Sequence, residues 1–493
     1  MIKKHILLLL FFFAVQLKAR ANFIYDANCV DAYKAIMSLR INDAKAFIQK
    51  EKQQNPKNGI IILLENYIDY FRLLASENKS DYEKLKDNKS ARISALEDND
   101  QNSPFYLYSQ AEVYLQWGLL KAKFGDYLSS AMDTKKASGL LKDNAEKYPD
   151  FLPNKKSQAL VNVVFGSIPA SFKSISRFLG MNGNAQLGLK QLEALKAELP
   201  KTKYDFYNKE VIFFLCNVNI DVLHNYNAYP RLISYLSEME SNSLLKAFLQ
   251  GYISSKTAHN DEAITFLEAS PKSDDYVDLP MVSYLLGSAK LNRMDADAPA
   301  FLTKYTRDYK GTNYIKDAYI KLAYFYLLQN DTRKYEYYLT LVRTKGYTID
   351  EKDQQALREA NDARPDTDLL LARFYFDGGY YTKAFAQLKN KTSSDFKLLR
   401  DKVQLYYRLG RIYDKTANFD EALINYQKAI DIGKNSSYYF AANAALNMGL
   451  IYENKRDLKK AAIFYNQAID MKAHDYQTSI DNDAKQGLKR IGQ

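Results

Sequence analysis

The residue types most able to do chemistry are few and scattered in this chain. His5 sits in an apolar N-terminal run, and His224, His259 and His474 stand far apart without cysteine or carboxylate companions at ligand spacing, whereas a metal needs convergent donors. No H-E-x-x-H, C-x-x-C or G-x-S-x-G occurs. Gly183 to Gly188, followed by Leu189-Lys190, has glycines like those of a phosphate-binding loop. Leu189 breaks the required Gly-Lys-Ser/Thr run and no strand precedes it, so the segment reads as a helix-entry turn. No catalytic, cofactor-binding or metal-ligating residues are expected. The remaining chemistry is that of recognition: 40 Tyr stand against 26 Phe and 1 Trp. A tyrosine on a helix fills a seam with its ring while its hydroxyl reaches water, and an exposed ring can stack on a sugar or a peptide side chain. Trp117, beside Gly118 in a long helical stretch, reads as a packing residue.

The elements that carry these rings are helices in pairs. Apolar residues recur at i, i+3, i+4 and i+7 almost throughout, with only 11 Pro and 19 Gly as punctuation, which predicts an all-α chain. Near the C-terminus one pattern is written twice. Leu409, Gly410, Tyr413, Ala422, Tyr426 and Ala429 recur as Met448, Gly449, Tyr452, Ala461, Tyr465 and Ala468, each 39 residues on. With Tyr406 these residues resemble the W-x2-L-G-x2-Y and second-helix positions of a tetratricopeptide repeat. The resemblance implies an α-solenoid of antiparallel helix pairs, which must stack because no pair buries its own apolar face. Small residues are expected where paired helices approach, and Tyr413, Tyr426, Tyr452 and Tyr465 along the seam to the next pair. Asn418–Asp420 and Arg456-Asp457 are expected to cap second helices, and Gly433 to take a left-handed conformation after one.

The resemblance also implies where a ligand would go, since the first helix of each pair lines the concave face of such a superhelix. The corresponding candidate peptide-binding groove here comprises Gln404, Tyr407, Arg408, Arg411, Asn443, Asn447, Leu450 and Asn454, and would grip an extended peptide through its amides and a carboxylate. Tyr407 stands where the family's carboxylate-binding lysine would be, while Asn447 is retained.

Along the chain, Lys3 and Lys4, an apolar run from Ile6 to Val15, and Ala19-Arg20-Ala21 predict a secretory signal over 1–21, cut after Ala21. That run is too short to span a bilayer, so no transmembrane segment is expected in the mature chain. Cys29 lacks a small apolar box before it, so a lipoprotein is not expected. Residues 22–199 read as an irregular helical domain with a hairpin of 105–124 and 127–148, a helix near 172–179 and another over 187–199. Residues 157–192 resemble the signature region of the Iml2/TTC39 family of tetratricopeptide proteins, through Gly166-Ser167-Ile168-Pro169, Phe178-Leu179-Gly180-Met181-Asn182-Gly183, Gly188-Leu189-Lys190 and Leu192, which implies interaction architecture without a known catalytic site. Residues 200–350 carry faded repeats at spacings of about 36, seen in Gly251 with Ala263 and Leu267, in Leu286-Gly287, and in Leu322-Ala323 with Tyr326 and Leu339. The polar stretch 353–367 predicts a joint. Repeats follow over 365–398, 403–436 and 442–475, with a capping helix at 476–491.

Removal of Lys3, Lys4, Lys18 and Arg20 leaves 65 basic against 58 acidic side chains, a net +7. These charges are interspersed, and with export they argue against nucleic acid. Cys29 and Cys216 either pair or remain as buried thiols, the latter being the habit of isolated cysteines. The reading is therefore an exported, periplasmic or envelope-associated, non-catalytic scaffold of a Gram-negative bacterium that binds a protein or peptide. The alternative is a glycan-binding protein resembling the SusD-type helical receptors, against which stand the missing lipoprotein signal and the single Trp.

Overall fold

The computed structural model describes residues 22–168 and 180–493. The expected export signal, the expected helix near 172–179 and part of the 157–192 resemblance lie outside the described residues. Among these, α-helices dominate, and β structure is confined to one isolated bridge between Asn22 and Asn58.

One turn recurs between paired helices. The first helix ends, the residue two positions on takes a left-handed φ, and the second helix starts. Leu39 (+60°), Gly125 (+87°), Ala258 (+61°), Asn330 (+59°), Gly379 (+81°), Ala417 (+59°) and Arg456 (+62°) all hold this place, and Met294 (+66°) sits one residue earlier in its turn. Such a residue reverses the chain while the last carbonyls of the first helix stay hydrogen-bonded, as Asn418 N–H does to Tyr413 O at 2.8 Å and Asp457 N–H to Tyr452 O at 2.9 Å. From Ala258 to Met294 and from Met294 to Asn330 the step is 36 residues, which is the faded sequence period. From Asn330 to Gly379 it is 49, because an extra helix, Glu351–Asn361, is inserted.

That helix replaces the expected joint. Asp353 is buried and accepts the N–H groups of Tyr314 (2.6 Å) and Asp317 (3.0 Å), so it caps the helix Ile315–Leu328, whose own N-cap residue supplies no side-chain bond. Burial pushes the Asp353 carboxyl up to about 6, against the pull of those two N–H groups. Ala356 and Ala360 pack in one cluster with Leu339, Val342 and Phe374. The stretch is polar because its acids serve helix ends: Asp366 in turn accepts from Asp368 N–H (2.9 Å) and Leu369 N–H (3.1 Å).

Within a pair, a gap on the first helix receives a large side chain from the second. A methyl group on Gly410 would lie 2.6 Å from Tyr426 Cδ1, and one on Gly449 2.5 Å from Tyr465 Cδ1. Gly251 meets Leu267, and Gly287 meets Leu302, in the same way. Tyr426 and Tyr465 therefore fill their own pairs, and the Tyr465 ring also reaches the next element, where a methyl group on Gly487 would lie 2.5 Å from its Cζ. Tyr413 does reach the preceding pair, through Phe385 at 5.5 Å, whereas Tyr452 stacks on Phe464 of its own pair. Gly433 is the last residue of a right-handed helix; what excludes a side chain there is Val403 Cγ1 at 2.6 Å. Of the expected caps, Asp457 accepts from Lys460 N–H at 3.1 Å, and Asn418 makes no side-chain cap bond. The helix Gln477–Arg490 closes the array, with Ile480 and Ala484 buried and Arg490 Nε and Nη2 each 2.9 Å from Glu453.

The chain forms two compact units, one of residues up to Asn225 with 234–245 and 272–278, the other of 226–233, 246–271 and 279–493. In the first, Leu244 N–H donates to Ser38 O and Val277 N–H to Leu39 O, tying in the two returning segments. Its interior holds a sealed ionic network. Lys156 Nζ lies 2.8 Å from Glu210 and 3.1 Å from Glu112, and donates to Tyr67 OH at 3.2 Å. Tyr33 and Tyr67 donate to these carboxylates, as does Ser157. Burial alone would depress Lys156; the Glu112 and Glu210 carboxylates override it and hold the ammonium above the usual lysine range. Trp117 packs here too, 1% exposed, its Nε1 donating to Asn66 at 2.9 Å. Cys29 and Cys216 are both buried free thiols, and no described helix is long and apolar enough to cross a membrane.

The register of the pairs predicts a contrast. Gly449→Leu should drive a side chain into the Tyr465 ring and destabilise the chain by about 1–3 kcal/mol, while Lys459→Ala, on an exposed position, should change it by less than about 0.5 kcal/mol. Thermal unfolding of the two variants checks this; equal midpoints would mean that the pairing is wrong.

Candidate protein-binding clefts

The first helices of the second unit turn a row of charged and aromatic side chains into two clefts. One, of about 440 Å³, is walled by Tyr324, Glu359, Arg373, Arg400, Arg408, Tyr439 and Tyr476 among others. Its cations are matched one by one to acids. Arg373 Nη1 contacts both Glu359 oxygens at 2.8 and 3.1 Å. Arg400 pairs with Asp362 at 2.9 Å and Asp401 at 2.8 Å, and Arg358 with Asp475 at 3.0 Å. Arg408 is the exception: 6% exposed, it has no carboxylate within 4.0 Å among the described residues. With the Gln404 amide oxygen turned toward it, its Nε and Nη2 lie 2.8 and 2.5 Å from that neutral acceptor. Burial, and the Arg373 guanidinium beyond it, hold Arg408 below the usual arginine range, with Tyr439 acting in the opposite sense.

The second cleft, of about 470 Å³, is lined by Tyr284, Lys321, Lys352, Phe376, Asp377, Arg411 and Lys415 among others. Lys321 pairs with Asp317 and donates to Tyr284 OH at 2.9 Å. Lys352 Nζ lies 5.3 and 5.8 Å from the centroids of Tyr314 and Tyr284, and the Arg411 guanidinium 4.3 Å from that of Phe376. Rings hold these cations by their faces, which leaves the donors free to turn to a ligand.

The expected groove residues are thus distributed. Gln404 and Arg408 line the first cleft and Arg411 the second. Tyr407 is not a groove residue: it is 1% exposed and packs on Phe440 (5.3 Å), Tyr439 (5.9 Å) and Tyr426 (6.4 Å). A ring at that helix position finds three others, and burial wins over display. Asn443 and Asn447 are half-buried and bond to each other at 3.3 Å; Leu450 (37%) and Asn454 are exposed, and all four lie outside both clefts. The residues that sequence reasoning missed are Lys352 and Glu359, on the inserted helix that overlaps the expected joint at 353–367, and Lys321 and Arg373. The last two follow the small and aromatic repeat positions at helical spacing and could have been found from that register.

Elsewhere, Asp26, Cys29 and Glu51 bring ligand-type atoms within 4.8 Å of one another. Those atoms already serve the fold: Asp26 accepts Cys29 N–H at 2.9 Å and Glu51 accepts Asn58 Nδ2 at 2.8 Å, while burial pushes the thiol up.

Residues 401–473, which span the two helix pairs with the Gly–Tyr contacts, match the family described as Tetratricopeptide repeat. Two proteins are similar over a quarter of the chain. Anaphase-promoting complex subunit 3 of Schizosaccharomyces pombe is 30% identical over 125 residues, 25% of this chain and 18% of that protein. The uncharacterized protein ycf37 of Pyropia yezoensis is 29% identical over 130 residues, 25% of this chain and 67% of that one. Among solved structures, the APC/C hetero-tetramer Cut9-Hcn1 aligns over 94% of this chain and 96% of its own, at 13% identity and a TM-score of 0.28. Naa15/Naa10 bound to HypK-THB aligns over 94% and 66%, at 17% identity and a TM-score of 0.24.

The unmatched guanidinium predicts an asymmetry between two arginines of one cleft. Arg408→Met removes a buried charge that no acid offsets, and should leave stability unchanged or raised. Arg373→Met leaves Glu359 unpaired and should lower it by about 1.5–3 kcal/mol. Urea unfolding of both variants reads this directly, and equal losses would mean that Arg408 has an ionic partner.

Proposed function

We propose that this chain is an exported, non-catalytic tetratricopeptide scaffold of a Gram-negative envelope that holds a partner protein against the inner face of its second unit. The observation that carries the reading is the repeat segment 401–473, whose initial helix supplies Gln404 and Arg408 to one open cleft and Arg411 to another. Helix-repeat surfaces of this kind bind extended segments or helices by many distributed contacts, which suits clefts of mixed charge and aromatic character. A non-catalytic role is supported by the placement of the titratable groups. Among the described residues, the most deeply buried set in which acids and a base converge, Lys156 with Glu112 and Glu210, is only 1–4% exposed at its side chains and offers no path to a substrate. His259 is held by Thr257 and stacked on Tyr229, and His474 is bonded to the Asp475 carbonyl. Export rests on the Lys-rich, apolar, Ala-x-Ala pattern of residues 1–21.

The test is photo-crosslinking in cells with a benzophenone amino acid at Gln404 or Ser288 on the inner side, and at Lys459 on the exposed side. Discrete crosslinked products from the inner positions and none from Lys459 are expected, on a mature chain whose N-terminal residue is Asn22. Products from Lys459 alone would overturn the groove reading, and an intact Met1 would overturn export.

A further inference from the structure

The two clefts differ in what they lack. In the smaller, every cation but one has its own acid. The larger has five cationic side chains, Lys256, Lys321, Lys352, Arg411 and Lys415, and only Asp377 as an acid in its wall. Lys321 is satisfied by Asp317, and Asp377 is drawn to Arg373 at 4.0 Å. Lys352, Arg411 and Lys415 have no carboxylate within 4.0 Å among the described residues. They come from two separate elements, Lys352 from the inserted helix Glu351–Asn361 and Arg411 and Lys415, one turn apart, from the C-terminal end of Leu399–Lys415, so their convergence is not the accident of one basic helix. Like charges gathered in a cleft repel one another and raise the local potential, and the arrangement is relieved by a ligand of opposite sign.

We infer that this cleft seats an acidic segment of the partner protein, an extended stretch of Asp and Glu whose carboxylates meet Lys352, Arg411 and Lys415. This rests on the scaffold reading above and names the chemistry of its partner. A peptide fits better than a phosphate-rich or sulfated ligand for two reasons. Asp377 in the wall would repel a dense anion but can accept a peptide N–H. Four of the five cations are lysines, Lys321 and Lys352 being set over the rings of Tyr284 and Tyr314, and a guanidinium fork of the kind that grips phosphate at two points occurs only once, in Arg411 over Phe376. The rings add apolar walls for the methylenes of Glu side chains.

The experiment uses the full chain and fluorescence anisotropy with carboxyfluorescein-labelled hexaglutamate, hexalysine as control, and a sulfated heparin oligosaccharide as competitor. Hexaglutamate should bind, hexalysine should not, and affinity should fall with rising salt. The double variant Lys352→Glu, Lys415→Glu changes two exposed side chains and should weaken binding by about tenfold or more, with unchanged thermal unfolding, whereas Lys459→Glu should leave it intact. Absence of hexaglutamate binding, equal binding by both variants, or a heparin oligosaccharide that binds more tightly and is released by the double variant would each overturn the proposal. If hexaglutamate fails while crosslinks still form at Ser288, the chemistry named here is wrong and the scaffold stands. If crosslinks arise only from Lys459, the scaffold reading itself has failed.

Discussion

The close approach of two antiparallel helices is the constraint on which the second unit depends. A left-handed residue turns the chain, and the second helix then comes back so near that the first must lose a side chain where the second presents a large one. Gly410 against Tyr426 and Gly449 against Tyr465 are the clearest cases, and Gly251 against Leu267 repeats the arrangement far from the region with a recognisable repeat sequence. Each pair leaves an apolar face that only a neighbouring pair can cover, so one cluster runs from Val403 through both C-terminal pairs to Ala484, while Leu405, Leu409 and Ile412 on the other face of the same helix join the core of the preceding pair. Stacking in turn aligns the first helices side by side. The clefts are a consequence of that alignment.

The first unit answers a different constraint. It contains helix hairpins with the same turn at Leu39 and Gly125, but its centre is ionic. Lys156 faces two carboxylates and the rings of Tyr67, Tyr108, Tyr207 and Phe214, at 5.5–5.9 Å from their centroids. Buried charges persist only when they are paired and hydrogen-bonded, and here hydroxyls from Tyr33, Tyr67 and Ser157 complete the pairing. Such a network specifies which helices meet, since any other packing would strand a charge.

How far the sequence disclosed this follows from whether a signal is local. Gly410, Tyr413, Ala422 and Tyr426 lie within one hairpin, so their spacing exposes both the element and its contacts. The period of 36 between residues 251 and 330 survives because the hairpin turn has fixed length. The polar stretch 353–367 reads as a joint because Asp353 acts on the backbone of residues 314 and 317, and the polarity looks like solvent exposure from within its own window. The repeat position of Tyr407 predicts a groove residue, and only the rings of Tyr439 and Phe440 from the next pair show why it turns inward. Lys156, Glu112 and Glu210 are separated by 44 and 54 residues along the chain; nothing in the spacing of single charges reveals that they converge. The inner cleft was half legible, since Arg411 was on the expected face while Lys352 belongs to the inserted helix.

The proposed recognition surface is the larger cleft of the second unit, where Lys352 and Arg411 lie against rings and lack acids of their own. Hydrogen exchange of the full chain, with and without saturating hexaglutamate, tests that claim most directly. Slower exchange is predicted in the segments that wall the larger cleft, 281–293, 315–328, 351–361 and the C-terminal turns of 399–415, with no change over 458–470. Protection confined to 458–470, or spread evenly along the chain, would contradict it.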